Sequence, residues 1–354
     1  MISDDRYQER RSDYDVTNRV KVSSPTAVRQ AVADIFADLY PDSAFDPVWL
    51  AFLDFERVFG GLDPSYHGVD TAYHDIQHTL DMTLALARLI AGYERSAEAD
   101  DRLGAERASL GLITALYHDA GYLRHRTHDR ASVNGAEYTL THVSRSAEFL
   151  RRYLPTIGLE RFVPVATQIV HFTGYELDLD SIELDDPKDS TIGHLLGTAD
   201  LVAQMADRCY LEKCRDRLFP EFVLAGIAID TDADETIVRY RSGKDLLAQT
   251  VTFYDRSAKH RLESNFNHAY RYLEAYFAEE NPYVVFIKKN LDYLADVMST
   301  AQWHGLRRRP PCIMPDPDGE MRMTELALER IHELADSQKI ALKRKNQLLP
   351  AYSL

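Results

Sequence analysis

Apolar residues recur at three- and four-residue intervals along most of this chain. Ala27–Tyr40 and Pro47–Phe59 carry that spacing, and His74–Tyr93 carries it most clearly, with Met82, Leu86, Leu89 and Tyr93 on one face. The same period predicts helices over Ala105–Asp119, Glu137–Tyr153, Leu159–His171, Ile192–Cys214, Tyr254–Phe277, Pro282–Ser299 and Thr324–Lys345. Gly60-Gly61, Gly121, Pro155, Gly174 and Pro220 fall between them as breakers. Strand alternation is confined to Thr236–Tyr240, and no internal repeat is present. The pattern predicts an all-α fold, a compact multi-helix domain over residues 26–305.

What flanks that domain is different in character. Residues 1–25 are polar and charged and read as a flexible tail, without the apolar stretch of a signal peptide. Residues 306–320, with Pro310, Pro311, Pro315 and Pro317, read as a linker to a charged C-terminal helix over 321–354. The apolar positions of that helix, Leu328, Ile331 and Leu334, suit packing on the main domain or on a second subunit, so a homodimer stays open.

Charge narrows the classes. The chain has 354 residues, is 45% hydrophobic and carries a net charge of −15. That balance argues against general nucleic-acid or anionic-membrane binding. No apolar run approaches the roughly 20 residues of a membrane span. A small anionic substrate is compatible, but positive charge must then be supplied locally, by metal ions or arginines. The three cysteines, Cys209, Cys214 and Cys312, form no zinc-type pair and suggest reduced thiols in a cytoplasmic compartment.

Candidate chemistry lies in histidines and aspartates at helix positions. His78 precedes Met82 by one turn and so shares the inward face. His118 and Asp119 end the apolar run LGLITALYHDAG (110–121), where a glycine stops the helix. His142 shares a face with Tyr138, Phe149 and Tyr153, and His171 ends another helical stretch. Asp200 sits within IGHLLGTADLVAQMA (192–206), on the face of Leu196 and Ala203. An unpaired carboxylate there costs several kcal/mol to bury. A metal ion removes that conflict, and imidazole with carboxylate suits zinc, manganese or iron. Gly193 and Gly197 in the same helix would let a neighbour approach closely.

These residues follow the order H…HD…(H…H)…D and resemble the HD-domain superfamily of metal-dependent phosphohydrolases. Two blocks are similar to the catalytic domains of class I cyclic-nucleotide phosphodiesterases: YHGVDTAYHDIQH (66–78) and GTADLVAQMADRCYLEKCRDRLFPEF (197–222). The resemblance spans about Phe45 to Phe277. It implies a helical domain around a binuclear metal site holding two divalent ions, with zinc, manganese, magnesium or iron as candidates. It implies His78, His118, Asp119 and Asp200 as ligands, Asp119 as the bridge to the second ion, His142 as the histidine that holds metal-bound water, and His74 as proton donor to the leaving group; His171 is a further candidate ligand of the second ion, by similarity to the HD-GYP and di-iron enzymes. Two features depart from the class I pattern: Tyr122 stands where the family has a histidine, and His171 stands where it has an apolar residue.

The activity implied is phosphodiester hydrolysis, with a 3′,5′-cyclic nucleotide as leading substrate. Gln249 and Phe253, in LLAQTVTFYD (246–255), fall where the family binds the purine. Hydrolysis of other nucleotides or cyclic dinucleotides is an alternative. A di-iron oxygenase is another, because the extra histidine is similar to that group. Arg124 and Arg126, in the loop LRHRTHDR (123–130), are candidates to meet phosphate, while His125 and His128 are expected at the surface or the substrate's edge.

Overall fold

Helix α3 (Ile76–Ser96) is buried on almost every face and is the axle of the fold. The structure, a computed structural model, describes residues 10–232 and 235–348. Around α3 pack α1 (Pro25–Leu39), α4 (Gly104–Tyr117), α7 (Pro187–Ala206) and α11 (Tyr272–Phe277). Helix α2 (Asp46–Phe59) lies against α4, α5 (His142–Thr156) packs on α6 (Val163–Ile169), and α12 (Pro282–Thr300) covers α7. The chain is mostly helical, and no helix among the described residues is long and apolar enough to cross a membrane.

After α7 the chain turns at Asp207 and runs through α8 (Tyr210–Lys213), a π-helical turn at Cys214–Leu218 and α9 (Phe219–Leu224). The π turn lets Pro220 sit at the start of a new helical segment, where its missing N–H costs nothing, so the expected break does not occur. The helix expected over Ile192–Cys214 is instead two, and that over Tyr254–Phe277 is interrupted by left-handed Asn267 and His268. Strands β1 (Ile229–Asp232) and β2 (Glu235–Val238) form one antiparallel ribbon, followed by α10 (Gly243–Phe253).

The two flanks differ from expectation. Residues 10–24 are not a tail: Val16 and Val22 are in the core, and Asp15 is fully buried against Arg88 of α3 at 2.7 Å. A buried arginine requires a carboxylate, and this segment supplies it. Residues 1–9 of the expected tail lie outside the described residues. Nor is 306–320 a free linker. Ile313 N–H donates to Asp75 Oδ2 at 3.0 Å, and Ile76 N–H donates to the Ile313 carbonyl at 3.3 Å. The buried Arg217 guanidinium donates to the carbonyls of Pro310 and Pro311. The strap leads into α13 (Gly319–Leu348), which packs on α9 through buried Ala327 and half-buried Ile331, while Leu328 stays exposed.

Candidate functional site

Asp75 starts the site. Its carboxylate caps α3 by accepting the His78 N–H at 3.0 Å. His74 therefore lies in the bend before the helix rather than inside it, as the periodicity had suggested. The cap still sets the two imidazoles close, with ring centroids 5.7 Å apart. At the end of α4, His118 is the C-cap, and its Nδ1 is 2.8 Å from the Ala115 carbonyl. That bond makes Nδ1 the protonated nitrogen and turns the Nε2 lone pair inward. His142, first residue of α5, repeats the device with the Thr139 carbonyl at 2.7 Å.

Gly121 joins these two pieces. A Cβ there would collide with the backbone carbonyl of His142, so only glycine lets the turn carrying His118-Asp119 meet the start of α5. Its N–H donates to Ser146 Oγ, which in turn donates to the His142 carbonyl. In α7, Gly197 serves a similar purpose, giving space to the Phe172 carbonyl and the Phe266 ring. What approaches α7 there is the turn Val170–Thr173, not a full neighbouring helix.

The result is a buried cluster. Asp119 Oδ2 is 3.2 Å from His118 Nε2 and 3.5 Å from His78 Nε2. Asp200 Oδ1 is 3.3 Å from His78 Nε2 and 3.9 Å from His118 Nε2. On the other carboxylate oxygen of Asp119, His142 Nε2 stands at 3.7 Å. Neither His118 Nε2 nor Asp119 Oδ2 has a hydrogen-bond partner, although both are buried. Burial opposes charge on His118, but Asp119 outweighs it and pushes the imidazole up to about 9. The same pairing, against burial, holds Asp119 well below the carboxylate range.

These spacings fit shared ligation better than hydrogen bonding. Donor atoms about 2.0–2.2 Å from one ion stand about 3.0 Å apart on an octahedral edge and about 3.4 Å apart on a tetrahedral one. His78, His118 and Asp119 meet that test most tightly, with Asp200 beside them. His142 reaches only the outer oxygen of Asp119. His171 does not join them: it is buried in the turn before Gly174, its Nδ1 has no hydrogen-bond partner, and it makes no ion pair with Asp119. Burial keeps it below the ordinary histidine value.

One functional residue escaped the sequence reading. Glu221 of α9 is fully buried, and its Oε2 lies 2.6 Å from His74 Nδ1. Its Oε1 accepts the N–H groups of Tyr73 and His74. Burial opposes a charged His74, yet the Glu221 carboxylate prevails and raises its pKa. Tyr122 is sandwiched between His74 and His142, with centroids 4.5 and 4.6 Å away. Behind the cluster, Gln204 donates to Asp200 Oδ1, and Tyr73 OH donates to Gln204 Oε1.

The cluster opens into a cavity of about 380 Å³ whose far half is apolar. Gln249 and Phe253 line that half; the Gln249 amide donates to the Arg239 carbonyl, and Phe253 is partly exposed. No lysine or arginine among the described residues lines the cavity. Arg124 is bound to Asp70 and the Ser132 carbonyl, and Arg126 contacts His67. His125 and His128 line a separate cavity on the other side of the 120–123 turn. Comparison of the chain with protein-family models, curated proteins and solved structures finds no match.

Proposed function

We propose that the chain is a metal-dependent phosphohydrolase acting on a phosphodiester. One observation carries this reading: two buried atoms without a hydrogen-bond partner, His118 Nε2 and Asp119 Oδ2, face each other at 3.2 Å beside His78 and Asp200. Buried polar atoms without partners are rare, and a shared ion satisfies all four residues. His78, His118, Asp119 and Asp200 would hold the first divalent ion, and Asp119 with His142 would offer an edge to a second. Such ions supply a nucleophilic water near neutral pH and neutralise phosphoryl oxygens.

The protein's own part is proton delivery and recognition. His74, protonated and held by Glu221, donates to the leaving oxygen. The apolar half of the cavity receives the organic part of the substrate. The scarcity of cationic lining favours a singly charged diester, such as a cyclic nucleotide, over a polyphosphate. The test is metal analysis followed by turnover on cyclic and linear nucleotides with manganese or zinc. Hydrolysis of a diester supports the reading. Two irons with oxygen uptake, or no metal bound at all, defeats it.

A further inference from the structure

Arg261 has an unusual position for a cation. It lies in the π-helical turn Arg261–Asn265 and is 8% exposed. Its guanidinium makes no hydrogen bond and no ion pair among the described residues. The other deeply buried arginines are all engaged: Arg10 with the Ala206 carbonyl, Arg88 with Asp15 and Tyr283, Arg217 with Glu320 and two carbonyls. Arg261 has only the face of Tyr175, 3.6 Å from its carbon to the ring centroid. The fold offers this guanidinium no carboxylate, and a ring face leaves its N–H donors free for an outside acceptor.

Its surroundings show where a partner would come from. Tyr175 is a wall shared by the guanidinium on one side and the catalytic cavity on the other. The ring is more than half exposed, and its hydroxyl has a single bond, from Ser257 Oγ at 3.2 Å. Beyond it, the carboxylate whose charge acts on Arg261 is Asp200 of the cluster. The turn bearing Arg261 is anchored next to α7, because Phe266 packs against Gly197.

We propose that Arg261 is the anion-binding residue of this cleft, taking a phosphate or phosphodiester oxygen of the ligand. The proposal rests on the phosphohydrolase reading for the ligand's identity. When the ligand displaces the Tyr175 ring, a cation–π contact is exchanged for charge-assisted hydrogen bonds, which are stronger. Arginine's planar fork suits that role, and the strongly acidic chain puts no cation in the cavity's described lining, so Arg261, behind Tyr175, is the one proposed to meet the anion.

The experiment uses the full chain loaded with manganese and measures inorganic phosphate binding by calorimetry. Arg261→Met should weaken phosphate about 10- to 100-fold, the loss of hydrogen bonds to a charged group. Arg261→Lys should recover part of that loss. Metal content should be unchanged in both, and the melting temperature of Arg261→Met should not fall, because the guanidinium holds no hydrogen bond or ion pair of the fold. Equal phosphate affinity in the wild type and Arg261→Met overturns the proposal. So does a lower melting temperature rescued by lysine without any change in phosphate binding, which marks a structural arginine. A wild-type chain that binds phosphate through Arg261 yet cleaves no diester defeats the hydrolase reading and leaves the anion site standing.

Discussion

The Nδ1 of His74 lies 2.6 Å from Oε2 of Glu221, two residues 147 positions apart in sequence. The carboxylate fixes the imidazole's orientation and favours its protonated form. Glu221→Gln should keep the geometry but lose the charge. Turnover of a diester with an alkyl leaving group should then fall, within the roughly 10²–10⁴-fold typical of general acid catalysis. A nitrophenyl ester, whose leaving group needs no proton, should lose far less. Parallel rate measurements on the two substrates check this; equal losses would mean that Glu221 acts only on folding or metal binding.

Removing a charged ligand should empty the cluster. Asp119→Ala and Asp200→Ala are expected to abolish turnover and lower bound metal. His171→Ala should retain both, because His171 makes no ion pair with the carboxylates of the cluster and its Nδ1 has no hydrogen-bond partner. Metal content by elemental analysis separates the three. Loss of metal in His171→Ala alone would relocate the site.

The Gln249 side chain reaches the cavity while tied to the Arg239 carbonyl. Gln249→Ala should raise KM for a cyclic nucleotide several-fold and spare a generic aryl diester. Steady-state kinetics on both substrates is the check, and equal loss on both would remove Gln249 from base recognition.

Acid should loosen the N-terminal segment. Burial works against the Asp15 carboxylate, but Arg88, Thr17 and the Val20 N–H hold it down to about 2. A depressed carboxylate stabilises the fold above its unfolded value near 4, and that stability is lost as pH falls through about 2. Melting curves from pH 5 to pH 2 should show the decline, and Asp15→Asn should flatten it. At neutral pH, Asp15→Ala should cost about 3–5 kcal/mol, since it leaves Arg88 buried without its carboxylate.

Asp81 carries the opposite sign. Burial, with Asp207 and Asp15 nearby, pushes it up to about 7. A raised carboxylate contributes fully below its unfolded value near 4, and that contribution is lost as pH rises through about 7. Asp81→Asn, neutral throughout, should therefore gain melting temperature over the wild type at pH 8 and little at pH 5.

The helices were legible because their apolar stripes repeat with the helical period, and His78, His118 and Asp200 were legible as polar residues on those stripes. The helix was started two residues early, at His74, because the period cannot see that Asp75 takes the capping role. Glu221 was invisible because nothing local to it announces a partner in a distant bend. The role of residues 10–24 was hidden for a similar reason. The clue was Arg88, a lone cation inside an apolar helix, whose partner Asp15 sits in a stretch that looks disordered by composition. His171, a candidate by residue type, is buried in the turn before Gly174 and makes no ion pair with the carboxylates of the cluster.

The strap at 310–314 also bears on how this protein can be handled. A fragment cut to residues 26–305, the boundaries that composition suggests, would lack both of its seams. The Asp75 carboxylate would lose the Ile313 N–H, and Arg217 would lose two carbonyls and Glu320. Both lie one element away from His74: Asp75 is its neighbour, and Arg217 leads into the helix of Glu221. Trimming the ends to tidy an expression clone, or fusing a bulky tag close after residue 305, would therefore disturb His74, the proposed proton donor, and through the Asp75 cap His78 as well.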